Sequence, residues 1–290
     1  MSWYRSQDFA IPFSNKFLRL ALRIHFLLAR IIVMIRGFGK SRKIDQWYKE
    51  TKVFFVLGSK RSGTKFFADF LNQALVDGLV QHEAIADDYW DHPKARQSEE
   101  DALQYIESFR RQEIYCRVEK TGAKIYGEVN PFLRRHVIAL QKAIPEATCI
   151  HVTRDPRDVV RSLMSKLYQG PKDPTTHLIY PLPEDEYFDK WSDMDRFARI
   201  CWIWKDDNEY LRKNCSYHIK FEELRSNYGY FKKQFLDYLD LSIDEDIWQS
   251  FVNKPRNHTP KFLFPDFQIG RIGQSNRSQF LPKFVEMRCF

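Results

Sequence analysis

The chain has 290 residues, 43% of them hydrophobic and 16% aromatic, which excludes wholesale disorder and suits one large domain or one domain with a modest extension. Lys and Arg outnumber Asp and Glu by 46 to 38, a formal charge of +8; this favours anionic partners without choosing among nucleotides, nucleic acid, sulfated or phosphorylated compounds and anionic lipid, and a generic soluble surface carries as much. Five scattered cysteines, Cys116, Cys149, Cys201, Cys215 and Cys289, form no CxxC pair, so we expect a reducing compartment and no disulfide framework.

Residues 1–50 read as a basic, amphipathic helical extension to a domain spanning 51–290. The apolar stretch from Phe17 contains arginines and lacks a small-residue cleavage pattern, so it is no cleavable signal peptide. At 100° per residue Lys16, Arg19, Arg23 and Arg30 share one narrow stripe of an otherwise apolar surface. Arginines at the centre of a bilayer cost about 2.5–3.5 kcal/mol each, which argues against crossing it. Two arrangements stay open: residues 16–36 lie in a membrane interface, or they dock on the domain with the arginines facing solvent. The second is favoured.

Gly37, Gly39 and the basic "GKSRK" mark a break. "KVFFVLG" is continuously apolar, the pattern of a strand buried on both faces. A helix is predicted over 64–76, a short strand at "GLVQHE", an exposed helix over 98–111, and a strand at "AKIYGEVNP" with a helix opened by Pro131. "ATCIHVTRDPRDVVRSLM" is strand, turn and helix, with Asp155 at the N-cap and Pro156 at the first helical position. Four prolines over 170–185 predict a loop, a candidate lid. A long helix follows over 186–213, with Trp191, Trp202 and Trp204 read as core; then come a strand at "SYHIKFEEL", a helix over 228–240 and a polar tail. Strands alternating with helices predict an α/β fold of three layers: a parallel sheet flanked by helices, P-loop-like, with the N-terminal helical extension added. Ligands of such sheets bind at the carboxyl ends of the strands, where Gly58, Glu83, Glu128 and Arg154 all fall.

The first strand runs into "GSKRSGTKFF", a glycine loop opening a helix. Free backbone N–H groups and the helix dipole favour an anion there. Gly63 permits close backbone approach, Ser62 and Thr64 add hydroxyls, and Lys60, Arg61 and Lys65 add three cations. A magnesium-binding P-loop needs a hydroxyl directly after its lysine and an acidic partner at another strand end. Here Lys65 is followed by Phe66, and the strand "TCIHVT" ends in Arg154. The second motif, "RDPRDVVRS", offers Arg154 and, two helical turns on, Ser162 to a second phosphate; Asp155 and Asp158 read as caps, Arg157 and Arg161 as surface cations. The pair implies a nucleotide with two separated anionic groups and no metal.

"GSKRSGT" after one buried strand and "RDPRDVVRS" after another resemble the two signature motifs of sulfotransferases that use 3′-phosphoadenosine-5′-phosphosulfate (PAPS) and release adenosine 3′,5′-bisphosphate (PAP). The resemblance runs from about residue 52 to 240, is closer to the Golgi and bacterial branches than to the cytosolic one, and includes "YHIKFEEL", similar to a "YEDL" strand. It implies that Arg61, Ser62, Gly63 and Thr64 hold the 5′-phosphosulfate, with Lys60 and Lys65 as further cations, and that Arg154 and Ser162 hold the 3′-phosphate. Phe66 would correspond to an aromatic that stacks on adenine. The C-terminal "GRIGQSNRSQF" keeps Arg271, a third 3′-phosphate ligand by resemblance, but puts Ser275 near the usual Trp.

Sulfuryl transfer is an in-line displacement helped by positioning and by charge on the leaving oxygens; Arg61 is the main candidate for that charge, Lys65 the second. Glu83 is the preferred general base, with His82 next and Glu128 third. A small-molecule, lipid or carbohydrate acceptor is expected, no nucleic acid, and a location in the cytoplasm or at the cytoplasmic face of a membrane. The competing readings are a P-loop-like nucleotide kinase or ATPase, and a degenerate, non-catalytic nucleotide-binding protein.

Overall fold

A computed structural model describes residues 39–253 apart from 172, 174 and 175, together with residues 24, 28, 30–33, 35 and 37. Lys16, Arg19, Arg23, Cys289 and the C-terminal motif with Arg271 lie outside the described residues.

Helix α1 (Ser41–Glu50) leads into β1 (Lys52–Leu57). After the glycine loop come α2 (Thr64–Ala74), β2 (Gly78–His82), α3 (Asp87–Gln97) and α4 (Glu99–Tyr105). A π-helical turn over Ile106–Arg110 joins α4 to α5 (Arg111–Val118), followed by β3 (Ile125–Val129), α6 (Val137–Ala143), β4 (Thr148–Thr153) and α7 (Pro156–Met164). A long loop then precedes α8 (Arg196–Asn214), β5 (Tyr217–Lys220), α9 (Phe221–Ser226), α10 (Tyr228–Phe231) and α11 (Glu245–Val252).

The five strands form one parallel sheet in the order β2-β3-β1-β4-β5. Alternation along β1 explains its unbroken apolar run. Val53, Phe55 and Leu57 enter one core with α1, α4, α5 and α6, whereas Phe54 and Val56 enter another with α2, α9 and α10. A strand covered on both faces has no polar side to show. The chain leaves β1 for β2 and β3 on one side and reaches β4 and β5 on the other, so the loops after β1 and β4 flank a reversal of strand order, where α/β sheets bind ligands.

Local rules account for the departures from the sequence pattern. Asp195 caps Ala198 N–H at 2.7 Å, so the helix predicted from 186 starts at Arg196. Ser98 caps α4, but the helix expected to be exposed over 98–111 buries Tyr105, Phe109 and Arg110. Phe221–Ser226, read as the end of a strand, is helix. Pro93 sits inside α3 and weakens its helical signature. The N-terminal cations were expected to face solvent. Arg30 instead turns inward: its Nε donates to Asp87 Oδ1 at 2.7 Å and its guanidinium lies over Tyr105 and Phe109. Cys116, Cys149, Cys201 and Cys215 are free thiols.

Candidate active site

The loop after β1 is tightly folded. Gly58 lies against β4, where a Cβ would meet the Val152 carbonyl at 2.5 Å. Ser59 and Ser62 share a hydroxyl hydrogen bond of 2.8 Å. Gly63 has φ +83°, and a Cβ there would collide with the Phe221 ring at 2.1 Å. Glycine is therefore required on two counts, and the N-terminus of α2 follows at once with its N–H groups available.

Arg61 and Lys60 leave this loop in opposite directions. Arg61, at φ +72°, donates from Nε to Ser162 Oγ at 2.8 Å, and its carbonyl accepts from Arg154 Nη1 at 3.0 Å. The two sequence motifs thus meet across neighbouring strands. Burial and the like charge of Arg154 hold the Arg61 guanidinium below its ordinary pKa, against a smaller opposing pull from Glu83. Arg154 also faces Asp158 at 3.5 Å and lies over the Phe221 ring. Asp155 caps α7 through Arg157 N–H at 2.8 Å, and the side chains of Arg157 and Arg161 pair with Asp155 and Asp158, as a capping and surface role requires. Beside Arg154 opens a cavity of about 590 Å³, walled by Phe221, Glu222, Arg225, Trp248 and Asn253 among others. Sequence reasoning missed Arg225 and Trp248, since nothing in their spacing marks them. Phe66 packs edge-on against Phe221 and Phe251.

Lys60 turns to the other side. Its Nζ sits 5.2, 4.9 and 4.4 Å from the ring centroids of Tyr89, Phe132 and Tyr168. Burial, then the charge of Arg134, pushes its pKa down to about 8. Lys65 points out of the site and forms an i,i+4 pair with Asp69 at 3.0 Å, its side chain 62% exposed.

The base candidates separate clearly. Glu83 follows β2 at φ +48° and exerts its charge on both Arg61 and Lys60. It therefore stands at the junction of the two sides of the loop. His82 accepts or shares a hydrogen bond with Thr64 Oγ1 at 3.0 Å, with Nε2 3.7 Å from Glu83; burial lowers its pKa below the ordinary value. Glu128 is fully buried, and Arg110, Tyr126 and Asn130 all donate to it. Although burial alone would raise its pKa, Arg110 and these hydrogen bonds bring it below the usual carboxylate range. It cannot reach an acceptor, and its role is architectural. Three of the five non-glycine residues with positive φ among those described, Arg61, Glu83 and Gln169, surround this region; the others are Asp77 and Asp240, a residue type that tolerates this conformation.

Residues 73–245 match the sulfotransferase family. The match begins inside α2, after the loop, and takes in β4 and its arginine turn. No curated protein matches significantly. Among solved structures, the sulfotransferase domain from the curacin biosynthetic pathway aligns with a TM-score of 0.48 and 12% identity, over 83% of this chain and 98% of that one. Sulfotransferase STF1 from Mycobacterium tuberculosis H37Rv gives 0.46 and 13%, over 82% and 80%. Mouse sulfotransferase SULT7A1, complexed with PAP, gives 0.42 and 13%, over 86% and 90%.

Proposed function

Because this chain belongs to the sulfotransferase family, we propose that it moves the sulfuryl group of PAPS to a hydroxyl or amine acceptor and releases PAP, without a metal. The observation that carries this reading is the junction of the two motifs: Arg61 bonded to Ser162, and Arg154 bonded to the Arg61 carbonyl. It joins a helix N-terminus, an arginine whose charge is disfavoured by a second arginine beside it, and a cavity large enough for a nucleoside. An anion relieves the repulsion between Arg61 and Arg154, as a phosphosulfate and a 3′-phosphate would.

The residues fit that ligand. The bare backbone at Gly63 and the N–H groups of α2 receive the 5′ end with Ser62 and Thr64. Arg154 and Ser162 receive the 3′-phosphate, and Phe221 and Trp248 offer apolar faces to a base. When bound, PAPS would supply a sulfuryl group whose sulfur is attacked in line by the acceptor oxygen or nitrogen while PAP leaves. Arg61 holds negative charge at the leaving oxygen. Glu83 takes the acceptor's proton, and His82, kept neutral by burial, holds Thr64 in place. Glu83→Gln should cut turnover by about 10²-fold or more with PAP affinity unchanged; full activity would move the base role to His82.

Calorimetric titration with PAP in EDTA tests the whole reading. PAP should bind with 1:1 stoichiometry, and Arg154→Met should weaken it by roughly tenfold to a hundredfold while leaving AMP, which lacks the 3′-phosphate, unaffected. ATP binding that requires magnesium, with no PAP binding, would establish the kinase or ATPase reading instead. PAP binding with no transfer to any acceptor would mark a degenerate enzyme.

The helical residues 24, 28, 30–33 and 35 support our proposal of a peripheral contact of residues 16–36 with an anionic lipid surface at the cytoplasmic face of a membrane. Ile24, Leu28, Ile31, Ile32 and Ile35 are all exposed, and their spacing places them on one helix face, while Arg30 and Val33 on the other side pack on the domain. Lys40, Arg42 and Lys43 are exposed nearby. Among the described residues no helix is long and apolar enough to cross a membrane. Ile31→Glu with Ile35→Glu should abolish co-sedimentation with phosphatidylglycerol vesicles; equal sedimentation of both proteins would remove the proposal.

A further inference from the structure

The side of the loop facing away from the nucleotide has an unusual population of polar atoms. His92 has no partner for either ring nitrogen, Tyr168 none for its hydroxyl, and Gln169 none for its amide oxygen or nitrogen, among the described residues. These residues are 2%, 7% and 3% exposed. Buried polar groups are nearly always hydrogen-bonded, and an exception calls for an explanation such as a ligand. Tyr168 and Gln169 are consecutive, and His92 follows Tyr89, one wall of the Lys60 cage, by one turn of α3. Tyr168 is another wall of that cage, and His92 feels the charges of Arg134 and Lys60.

The segment that presents Tyr168 and Gln169 is held by side-chain hydrogen bonds. Arg196 donates to the carbonyls of Tyr168 at 2.9 Å, Met164 at 3.2 Å and Leu163 at 3.2 Å, and also to that of Lys166. Asp173 accepts from the Gln169 N–H at 2.7 Å. Gln169 is held at φ +55°, a conformation that costs a non-glycine residue energy and that recurs at ligand sites. Its buried side-chain amide has no partner among the described residues.

We propose that His92, Tyr168 and Gln169 bind the acceptor, and that the acceptor is an uncharged polyhydroxy compound of the carbohydrate class. This rests on the sulfotransfer reading and deepens it. A neutral imidazole, a phenol and a primary amide each donate and accept, which matches hydroxyl groups that also do both. One hydroxyl makes about three hydrogen bonds, too few to satisfy three such side chains, so a simple alcohol or phenol leaves most of them orphaned. Charge is not needed: Arg134 and Arg135 are already paired with Asp207 and Asp206, Arg96 with Asp206, and the Lys60 ammonium is held against the rings of Tyr89, Phe132 and Tyr168. The rings of Tyr89 and Phe132 supply flat apolar faces beside the polar groups. Glu83 exerts its charge on both Lys60 and Arg61; an acceptor hydroxyl beside it would meet the sulfuryl group, its oxygen bonding to sulfur, its proton passing to Glu83, and the bond from sulfur to PAP breaking.

The test uses the full chain and radiolabelled PAPS with three acceptor sets: methyl glycosides and disaccharides, 4-nitrophenol, and decanol. Label should pass to at least one glycoside, with an acceptor KM raised tenfold or more by Gln169→Gly and by His92→Ala while PAP affinity stays within twofold. Gln169→Gly separates binding from folding, because glycine relieves the positive φ and should leave Tm unchanged or higher. Failure of every glycoside to take label, or an acceptor KM unmoved in both variants, overturns the proposal. Loss of PAP binding in the unaltered chain would instead sink the sulfotransfer reading.

Discussion

Arg110 and Arg61 are the same residue type in opposite electrostatic settings. Arg110 is fully buried beneath the sheet, donating to Asp88 at 2.9 and 3.1 Å, to Glu128 at 2.5 and 2.6 Å, and also to Glu113. Burial alone would lower its pKa, but Asp88, Glu128 and Glu113 raise it well above the ordinary value. Arg61 is exposed as a residue with its guanidinium partly sheltered; its Nε finds only a serine hydroxyl, and that shelter together with Arg154 pushes its pKa down. The first arginine is neutralised by the protein and ties α3, β3 and the π-helical turn together. The second is left short of negative charge at a strand end. An arginine with its counter-ions is architecture; one opposed by another cation awaits an anion.

The comparison breaks most visibly at Arg110. Arg110→Met strands Asp88, Glu113 and Glu128 without their shared cation, and removing one partner of a buried ion pair costs about 3–5 kcal/mol. The urea midpoint should fall accordingly, or the chain should fail to accumulate as folded protein. A shift under 1 kcal/mol would mean that the three carboxylates simply take up protons and that the cluster is not what joins these elements.

The same contrast shows what was legible in the sequence. Arg61 and Arg154 sit in short motifs at predicted strand ends, so their meeting followed from the order of local elements and from where parallel sheets bind ligands. The parallel sheet itself was legible because β1 and β4 are apolar on both faces. Arg110 was invisible: it lies in a helical stretch read as exposed, and its three carboxylates come from residues 88, 113 and 128, which only tertiary packing assembles. Glu128 drew attention as a strand-end carboxylate, and the same packing makes it structural. Lys60 looked like one of three equivalent loop cations. Backbone conformation at Arg61 sends consecutive side chains to opposite sides, a property that spacing does not encode. Gln169 carried no signal, because a strained φ in a loop leaves no periodicity.

Arg61 sharpens the comparison from the other side. Arg61→Met removes a cation that repels Arg154 and that Glu83 only partly offsets, so thermal stability should hold or rise slightly. Sulfuryl transfer should fall by about 10²–10³-fold, the loss expected when a preorganised donor to a developing anion is removed. Opposite signs for stability in Arg110→Met and Arg61→Met, measured by one urea titration, are the signature of the two roles. Equal destabilisation would place Arg61 with the architecture.

Lys65 tests the contrast at its weakest point. It follows Thr64 where a second threonine is usual in the family it resembles, and sequence alone makes it a rival to Arg61 for the leaving group. Its ammonium is instead matched to Asp69 one turn along α2, at 3.0 and 3.1 Å, with the side chain largely in solvent. A surface pair of this kind contributes about 0.3–0.5 kcal/mol. Lys65 is thus matched by its own carboxylate and turned to solvent, whereas Arg154, which also faces Asp158, stays bonded to the loop at the Arg61 carbonyl. Lys65→Met should therefore leave PAP affinity and turnover within about twofold, since 0.4 kcal/mol is a factor of about two. A tenfold loss of turnover with intact PAP affinity would show that the lysine leaves Asp69 to assist transfer. Asp69→Asn would then raise the rate by releasing it, an effect that a purely structural pair cannot produce.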